Sequence, residues 1–198
     1  RIQPGDKIAL IGKDCVNWCV VYMAVVTYGA VIVPILQDFN PNDVQHIVNH
    51  SESVMLFSSD KVLRSLKREK MPQIRSIFSL SNFECVYQKE GEKADETLRS
   101  WDDLFAKRYP EGFSKKDIRY ADQGNDKVVL INYTSGTTGF SKGVMLTGNN
   151  LAGNVTYAKT LDLLFSGDRE LCFLPLAHAY SCAFNLLVPM AFGVHVYL

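Results

Sequence analysis

Residues 7–35 read KIALIGKDCVNWCVVYMAVVTYGAVIVPI, and three features in that order decide the fold class. Lys7 to Gly12 is a short apolar run of strand length. Val16 to Tyr28 is apolar at nearly every position and too long for a strand, which predicts a helix covered on most sides. Gly29 then breaks the run, and the β-branched stretch Val31 to Ile35 predicts a second strand. Strand, helix, strand is the unit of a parallel sheet with a right-handed crossover. The same segment carries no charge between Asp14 and Asp38, and about 20 apolar residues can span a bilayer. Gly29 and Pro34 interrupt it, so a buried helix followed by a buried strand is the simpler reading. The charge-free stretch after Glu170 is cut in the same way by Pro175, Pro189 and Gly193.

Working outward, Asn40-Pro41-Asn42-Asp43 supplies an N-cap and a first-turn proline for a helix through His50, with Val44, Ile47 and Val48 on one face. Val54 to Phe57 predicts a third strand, Lys61 to Lys70 a basic surface helix, and Ile74 to Leu80 a fourth strand. Residues 81–127 are dense in charge and poor in apolar side chains, apart from a short helix predicted around Trp101, Leu104 and Phe105. The α/β pattern resumes with strand Val128 to Tyr133, a Gly-rich turn, strand Gly143 to Leu146 and a helix from Asn149 to about Phe165. Strand Leu171 to Leu174, an apolar helix from Ala177 to Phe192 and strand Val194 to Leu198 complete the pass. No fixed-period repeat or low-complexity tract interrupts it.

Composition limits the function classes. The chain has 198 residues, 47% of them hydrophobic and 21% charged, which is globular and excludes disorder over most of its length. Lys plus Arg and Asp plus Glu balance at 21 each, so no global field draws the chain to nucleic acid or to anionic lipid. Cys15, Cys19, Cys85, Cys172 and Cys182 are odd in number and form no C-x-x-C pair, which reads as reduced thiols in a cytoplasmic protein. Cys15 and Cys19 share a helix face, but without nearby partners a structural role outweighs metal binding. A start at Arg1 and an apolar end from Val194 to Leu198 read as a piece of a longer chain.

The chemistry concentrates in Tyr133-Thr134-Ser135-Gly136-Thr137-Thr138-Gly139-Phe140-Ser141-Lys142-Gly143. Glycines let backbone amides turn inward, hydroxyls donate to phosphate oxygens and an ammonium offsets their charge, so this composition suits a polyphosphate. A Walker A loop requires G-x-x-x-x-G-K-[ST], whereas Gly139 stands two residues too far from Lys142, and the run after Lys142 is strand-like where a Walker loop opens a helix. Finding a helix directly after Lys142 would revive a P-loop kinase or ATPase. A polar hairpin between two strands fits the composition equally well, since Gly, Ser and Thr are ordinary turn residues.

The stretch resembles the signature Tyr-Thr-Ser-Gly-Thr-Thr-Gly-x-x-Lys-Gly of the adenylate-forming superfamily, which includes acyl-CoA synthetases, peptide adenylation domains and luciferases. Gly5-Asp6-Lys7-Ile8-Ala9-Leu10, Trp18 to Pro34, and Leu174-Pro175-Leu176-Ala177-His178-Ala179-Tyr180 resemble further motifs of the family, so the resemblance covers nearly the whole chain. The Leu-Pro-Leu-Ala-His form and His46 to Glu52 are most similar to long-chain fatty-acid CoA ligases. Ser141 stands where the family usually has Pro, which removes a fixed φ from the loop.

The resemblance implies a two-step reaction in the parent enzyme, using ATP, Mg2+ and coenzyme A with a carboxylic acid. Thr134, Ser135, Gly136, Thr137, Thr138 and Gly139 would wrap the β- and γ-phosphates, Lys142 would neutralise the leaving pyrophosphate, and His178 would line the acyl-carboxylate and α-phosphate pocket. Lys142 and His178 are thus the expected catalytic residues, and no metal ligand is expected in this chain. By the same resemblance the adenine platform, the Mg2+-holding Glu and a mobile C-terminal domain with a catalytic Lys belong to the family's later half. The isolated chain is therefore expected to be inactive. His46, His50 and His195 are read as structural. Tyr180, Phe184 and Leu187 could line an acyl tunnel, although an apolar stripe at helical spacing is core by default.

The expected architecture is α/β, a layered and mostly parallel sheet with flanking helices, ending in the phosphate-binding loop and the start of a second α/β lobe. Residues 1–166 would form the first lobe, with the loop at 133–143 and the charged excursion at 81–127, and residues 167–198 an incomplete second one. Expected partners are the small carboxylic acid, ATP, CoA and the remainder of the parent chain, with peripheral membrane contact compatible with a lipid substrate and no nucleic acid. Two rivals stand beside this reading: a non-catalytic adenylation-like domain for nucleotide binding or scaffolding, and an adenylate-forming ligase with another acid or acceptor.

Overall fold

The computed structural model describes residues 2–89, 101–122, 124–134 and 142–198. The expected opening is present: β1 (Lys7–Ile11), α1 (Val16–Tyr28), β2 (Val31–Ile35), α2 (Pro41–His50) and β3 (Ser53–Ser58) follow in order. β1 lies parallel to both β2 and β3 at the centre of a seven-stranded sheet. Gly29 ends α1 in the left-handed conformation at φ 89°, and its cap N–H returns to the Val25 and Val26 carbonyls. Asn40 caps α2 through its side chain, which accepts from the Asn42 and Asp43 amides at 3.0 Å each.

Helices on opposite faces of the sheet build two cores. On one face Trp18 and Tyr22 of α1, both fully buried, stack at 5.5 Å and join Leu10, Ile32, Leu130, Leu176 and Cys182. On the other, Val44, Ile47 and Val48 of α2 pack with Ile11, Ile35 and Tyr133. Each fully buried large side chain contributes about 1.5–3 kcal/mol relative to exposure. α1 buries Trp18, Val21, Tyr22 and Val25, whereas Val16, Val20 and Tyr28 remain exposed, so the helix is covered on fewer sides than its composition predicts.

The sheet order β5-β4-β3-β1-β2-β6-β7 includes β4 (Ser76–Ser79), β5 (Cys85–Gln88), β6 (Val128–Thr134) and β7 (Lys142–Thr147). Two antiparallel pairs, β4 with β5 and β6 with β7, flank the parallel strands. β5 was not expected inside the charged excursion. Its short edge pairing with β4 leaves Cys85 and Val86 exposed, so the strand carries no buried apolar alternation to read. The predicted basic helix is only the single turn α3 (Asp60–Leu63) followed by a 3₁₀ turn at Arg68–Lys70. Like charges at Lys61, Arg64, Lys67, Arg68 and Lys70 repel along a helix, and the Arg68 guanidinium lies 4.5 Å from the Tyr87 ring of β5. The helix around residue 101 is α4 (Trp101–Arg108).

Beyond β7, α5 (Gly148–Lys159) is shorter than predicted, because Asp162 enters the left-handed region at φ 49° shortly after it. β8 (Arg169–Leu171) starts two residues before the predicted strand and pairs in parallel with β9 (His195–Tyr197) in a second sheet. The helix expected between them is divided into α6 (Ala179–Ser181), a π-helical turn at Cys182–Leu187 and α7 (Val188–Phe192). Pro189 has no N–H to continue an α-helical ladder and would crowd the carbonyl four residues back, so the helix widens before it. Among the described residues no helix is long and apolar enough to cross a membrane.

Candidate functional site

β6 and β7 carry the two ends of the Gly-, Ser- and Thr-rich stretch. Thr134 is the last residue of β6, Lys142 the first of β7, and the register places them directly opposite each other. Both are exposed. The chain therefore leaves the sheet at Thr134 and re-enters it beside the same point. Ser135, Gly136, Thr137, Thr138 and Gly139 lie outside the described residues. Lys142 opens a strand rather than a helix, which removes the P-loop alternative.

Strand alternation sends successive residues of β6 to opposite faces. Asn132 is buried in the α1-facing half, where its amide donates to the Ala177 carbonyl at 2.8 Å. Tyr133 turns to the α2 side. Its hydroxyl lies 2.7 Å from His50 Nδ1 and the two rings meet edge to face. Burial pushes the Tyr133 phenol above its ordinary range, so it is neutral at physiological pH.

His178 occupies the N-cap of α6, and its backbone is held from the residues before it. Asp14, in the turn after β1, accepts from the Leu176 N–H with both carboxylate oxygens at 3.2 and 3.1 Å. Ala177 is held by Asn132. The His178 ring is exposed, and its Nδ1 accepts from the Tyr180 N–H at 3.3 Å. A neutral ring bonded in this way carries its proton on Nε2 and can offer it to an anion. Desolvation raises the Asp14 carboxyl, opposed by the Leu176 N–H and the Lys13 ammonium.

The other candidates are dispersed. The Tyr180 and Phe184 rings lie 4.9 Å apart, Tyr180 exposed and Phe184 half-buried, while Leu187 packs against the α1-side core. His195 pairs with Arg169 across the second sheet. The five cysteines are free thiols. Burial pushes Cys19 up to about 12 and Cys182 to about 11, which leaves both as neutral packing groups. Among the described residues no three His, Cys, Asp or Glu side chains converge on a metal position.

Sequence reasoning missed Asp14, Asn132 and the His50–Tyr133 pair. Asn132 had a readable signal, since an amide inside the apolar strand VVLINYT must find a partner when buried. Asp14 and His50 had none, because their partners are 162 and 83 residues away in sequence.

The model of the AMP-binding enzyme family matches residues 1–198. The chain belongs to that family. Similar family members include long chain acyl-CoA synthetase 6, peroxisomal, of Arabidopsis thaliana, 31% identical over 197 residues, which are 98% of this chain and 27% of that protein. Another is the long-chain-fatty-acid–CoA ligase FadD15 of Mycobacterium bovis, 29% identical over 190 residues, covering 93% of this chain and 30% of that one. The chain thus spans less than a third of the length of these curated relatives. In fold it is similar to the anthranilate CoA ligase AuaEII in complex with anthranoyl-AMP, with a TM-score of 0.77 at 19% identity over 100% of this chain and 36% of that chain.

Proposed function

We propose that this chain is the N-terminal part of an ATP-dependent acyl-CoA ligase whose substrate is a long-chain fatty acid. The observation that carries the reading is the pairing of Thr134 with Lys142 at the two ends of the signature stretch, which sets a hydroxyl-bearing and an ammonium-bearing residue side by side in the backbone at the sheet's margin. Thr134, with Ser135, Gly136, Thr137, Thr138 and Gly139, would donate to the β- and γ-phosphate oxygens of ATP. Lys142 would offset the charge that accumulates on pyrophosphate as it leaves. His178, with its proton on Nε2, would donate to the acyl carboxylate or the α-phosphate.

In the first step a carboxylate oxygen attacks the α-phosphorus, a P–O bond forms and the bond to pyrophosphate breaks, giving acyl-AMP. In the second the thiol sulfur of CoA, losing its proton, attacks the acyl carbon and AMP leaves. Transfer at phosphorus depends mainly on positioning and charge stabilisation, and an exposed cation opposite a hydroxyl suits that task. Among the described residues no three His, Cys, Asp or Glu side chains converge on a position that would hold Mg2+. The likeness of the Leu174–His178 and His46–Glu52 stretches to fatty-acid ligases supports a long-chain substrate, as does the presence of long-chain acyl-CoA synthetases among the chain's relatives. Peripheral contact with a membrane would follow from such a substrate.

Residues 167–198, which hold the small β8–β9 sheet, would begin a second lobe, and the 198-residue chain alone would not turn over. The test is AMP release by the complete enzyme with ATP, Mg2+, CoA and straight-chain acids of increasing length. Release should be strongest with long-chain acids. Nucleotide binding without AMP release from any acid would favour a non-catalytic adenylation-like domain instead.

A further inference from the structure

We propose that His50 is a positioning residue for the polyphosphate site: through its hydrogen bond to Tyr133 it holds the ends of β6 and β7 so that Thr134 and Lys142 face each other. The inference rests on reading those two residues as the polyphosphate site.

His50 is the last residue of α2, a helix fixed at its start by the Asn40 cap and along its length by the fully buried Val44, Ile47 and Val48. Its Nδ1 lies 2.7 Å from the Tyr133 hydroxyl, with the rings at 87° and 5.7 Å between centroids. The other side of Tyr133 meets β7. Gly143 is its cross-strand partner, and a Cβ built there would come within 3.0 Å of Tyr133 Cζ and 3.2 Å of its hydroxyl oxygen. The phenol is therefore clamped between α2 and the backbone of β7. Both strands are gripped one residue short of the Thr134–Lys142 pair, since Thr134 follows Tyr133 and Lys142 precedes Gly143.

β7 is an edge strand with exposed residues from Lys142 to Met145, and among the described residues no strand pairs with its outer side. The His50–Tyr133–Gly143 contact supplies a reference from the rigid interior to this margin. The plain alternative is that His50 serves only as a cation at the C-terminus of α2. Substitutions separate the two. Asn carries its polar atoms at the same position along the side chain as His Nδ1 but has no charge, whereas Lys supplies a charge and cannot reproduce that bond.

The experiment is carboxylate-dependent ATP–pyrophosphate exchange by the complete enzyme, with KM measured separately for ATP and for the carboxylate. His50→Ala and Tyr133→Phe should each raise KM for ATP roughly 2- to 12-fold, the range of one hydrogen bond, and leave KM for the carboxylate unchanged. The double variant should be no worse than the more impaired single one. His50→Asn should restore KM for ATP and His50→Lys should not. Unmoved KM for ATP in Tyr133→Phe, which keeps the packed ring, overturns the proposal, as do additive effects or rescue by Lys alone. Lys142→Ala is run beside them: if it leaves exchange unchanged, the polyphosphate reading falls and this proposal with it. Slowed exchange in Lys142→Ala with unmoved KM in the other variants overturns the proposal only.

Discussion

The Asn132 side-chain amide donates to the Ala177 carbonyl at 2.8 Å, in the interior and across 45 residues of sequence. That one bond joins the strand ending at Thr134 to the segment ending at His178, so the two halves of the candidate site share a buried support. Asn132→Ala should leave the Ala177 carbonyl without its donor and cost about 1–3 kcal/mol of stability, read from urea denaturation. The same variant should slow acyl-AMP formation, because both Thr134 and the His178 backbone lose a fixed reference.

Asp14 gives a prediction with a definite pH sign. Burial raises its folded-state pKa above the ordinary 3.8, so its favourable contribution is fully present below that ordinary value and is lost as pH rises through the raised one. Asp14→Asn keeps an oxygen to accept from the Leu176 N–H and removes the buried charge. Its stability relative to the unaltered enzyme should rise between acid and neutral pH and then level off. Thermal unfolding at pH 3.5 and pH 7 checks this, and a relative loss at pH 7 would contradict it. Asp14→Ala removes the acceptor and should be destabilising at both.

Gly143→Ala tests how tightly Tyr133 is packed. The added Cβ would lie 3.0–3.2 Å from Tyr133 Cζ, Ile131 Cγ2 and the Tyr133 hydroxyl oxygen, closer than such contacts normally come. Displacing a buried ring costs about 1–3 kcal/mol, to be read from the midpoint of chemical denaturation. A change near zero would mean that the edge strand yields freely.

The thiols offer an independent check on the packing around α1. With Cys19 held up to about 12 and Cys182 to about 11 by burial, neither forms appreciable thiolate at pH 7.5. Iodoacetamide should leave both unlabelled in the native protein and label them after denaturation, with the products located by peptide mass.

How much of this was legible in the sequence depended on where each signal lay. The parallel strands and α1 were readable because long apolar runs and Gly29 state their own boundaries. β6 and β7 were readable for the same reason, on either side of the motif. β5 was not, because a strand paired on one side needs few apolar residues. The division of the last helix is not legible, because an apolar run reads alike in α- and π-helical turns and Pro189 does not by itself say where the helical ladder widens. At the site, motif positions such as Thr134 and Lys142 announce themselves through residue type, while the residues that hold them, Asp14, His50 and Asn132, act through partners that only the fold brings near.

The central claim is that Lys142, paired opposite Thr134, stabilises the leaving pyrophosphate. The direct measurement is carboxylate-dependent ATP–pyrophosphate exchange by the complete enzyme before and after Lys142→Ala. A charge that acts mainly in the transition state should, when removed, lower the exchange rate on the order of 100-fold while changing KM for the carboxylate little. An exchange rate equal to that of the unaltered enzyme would contradict the account.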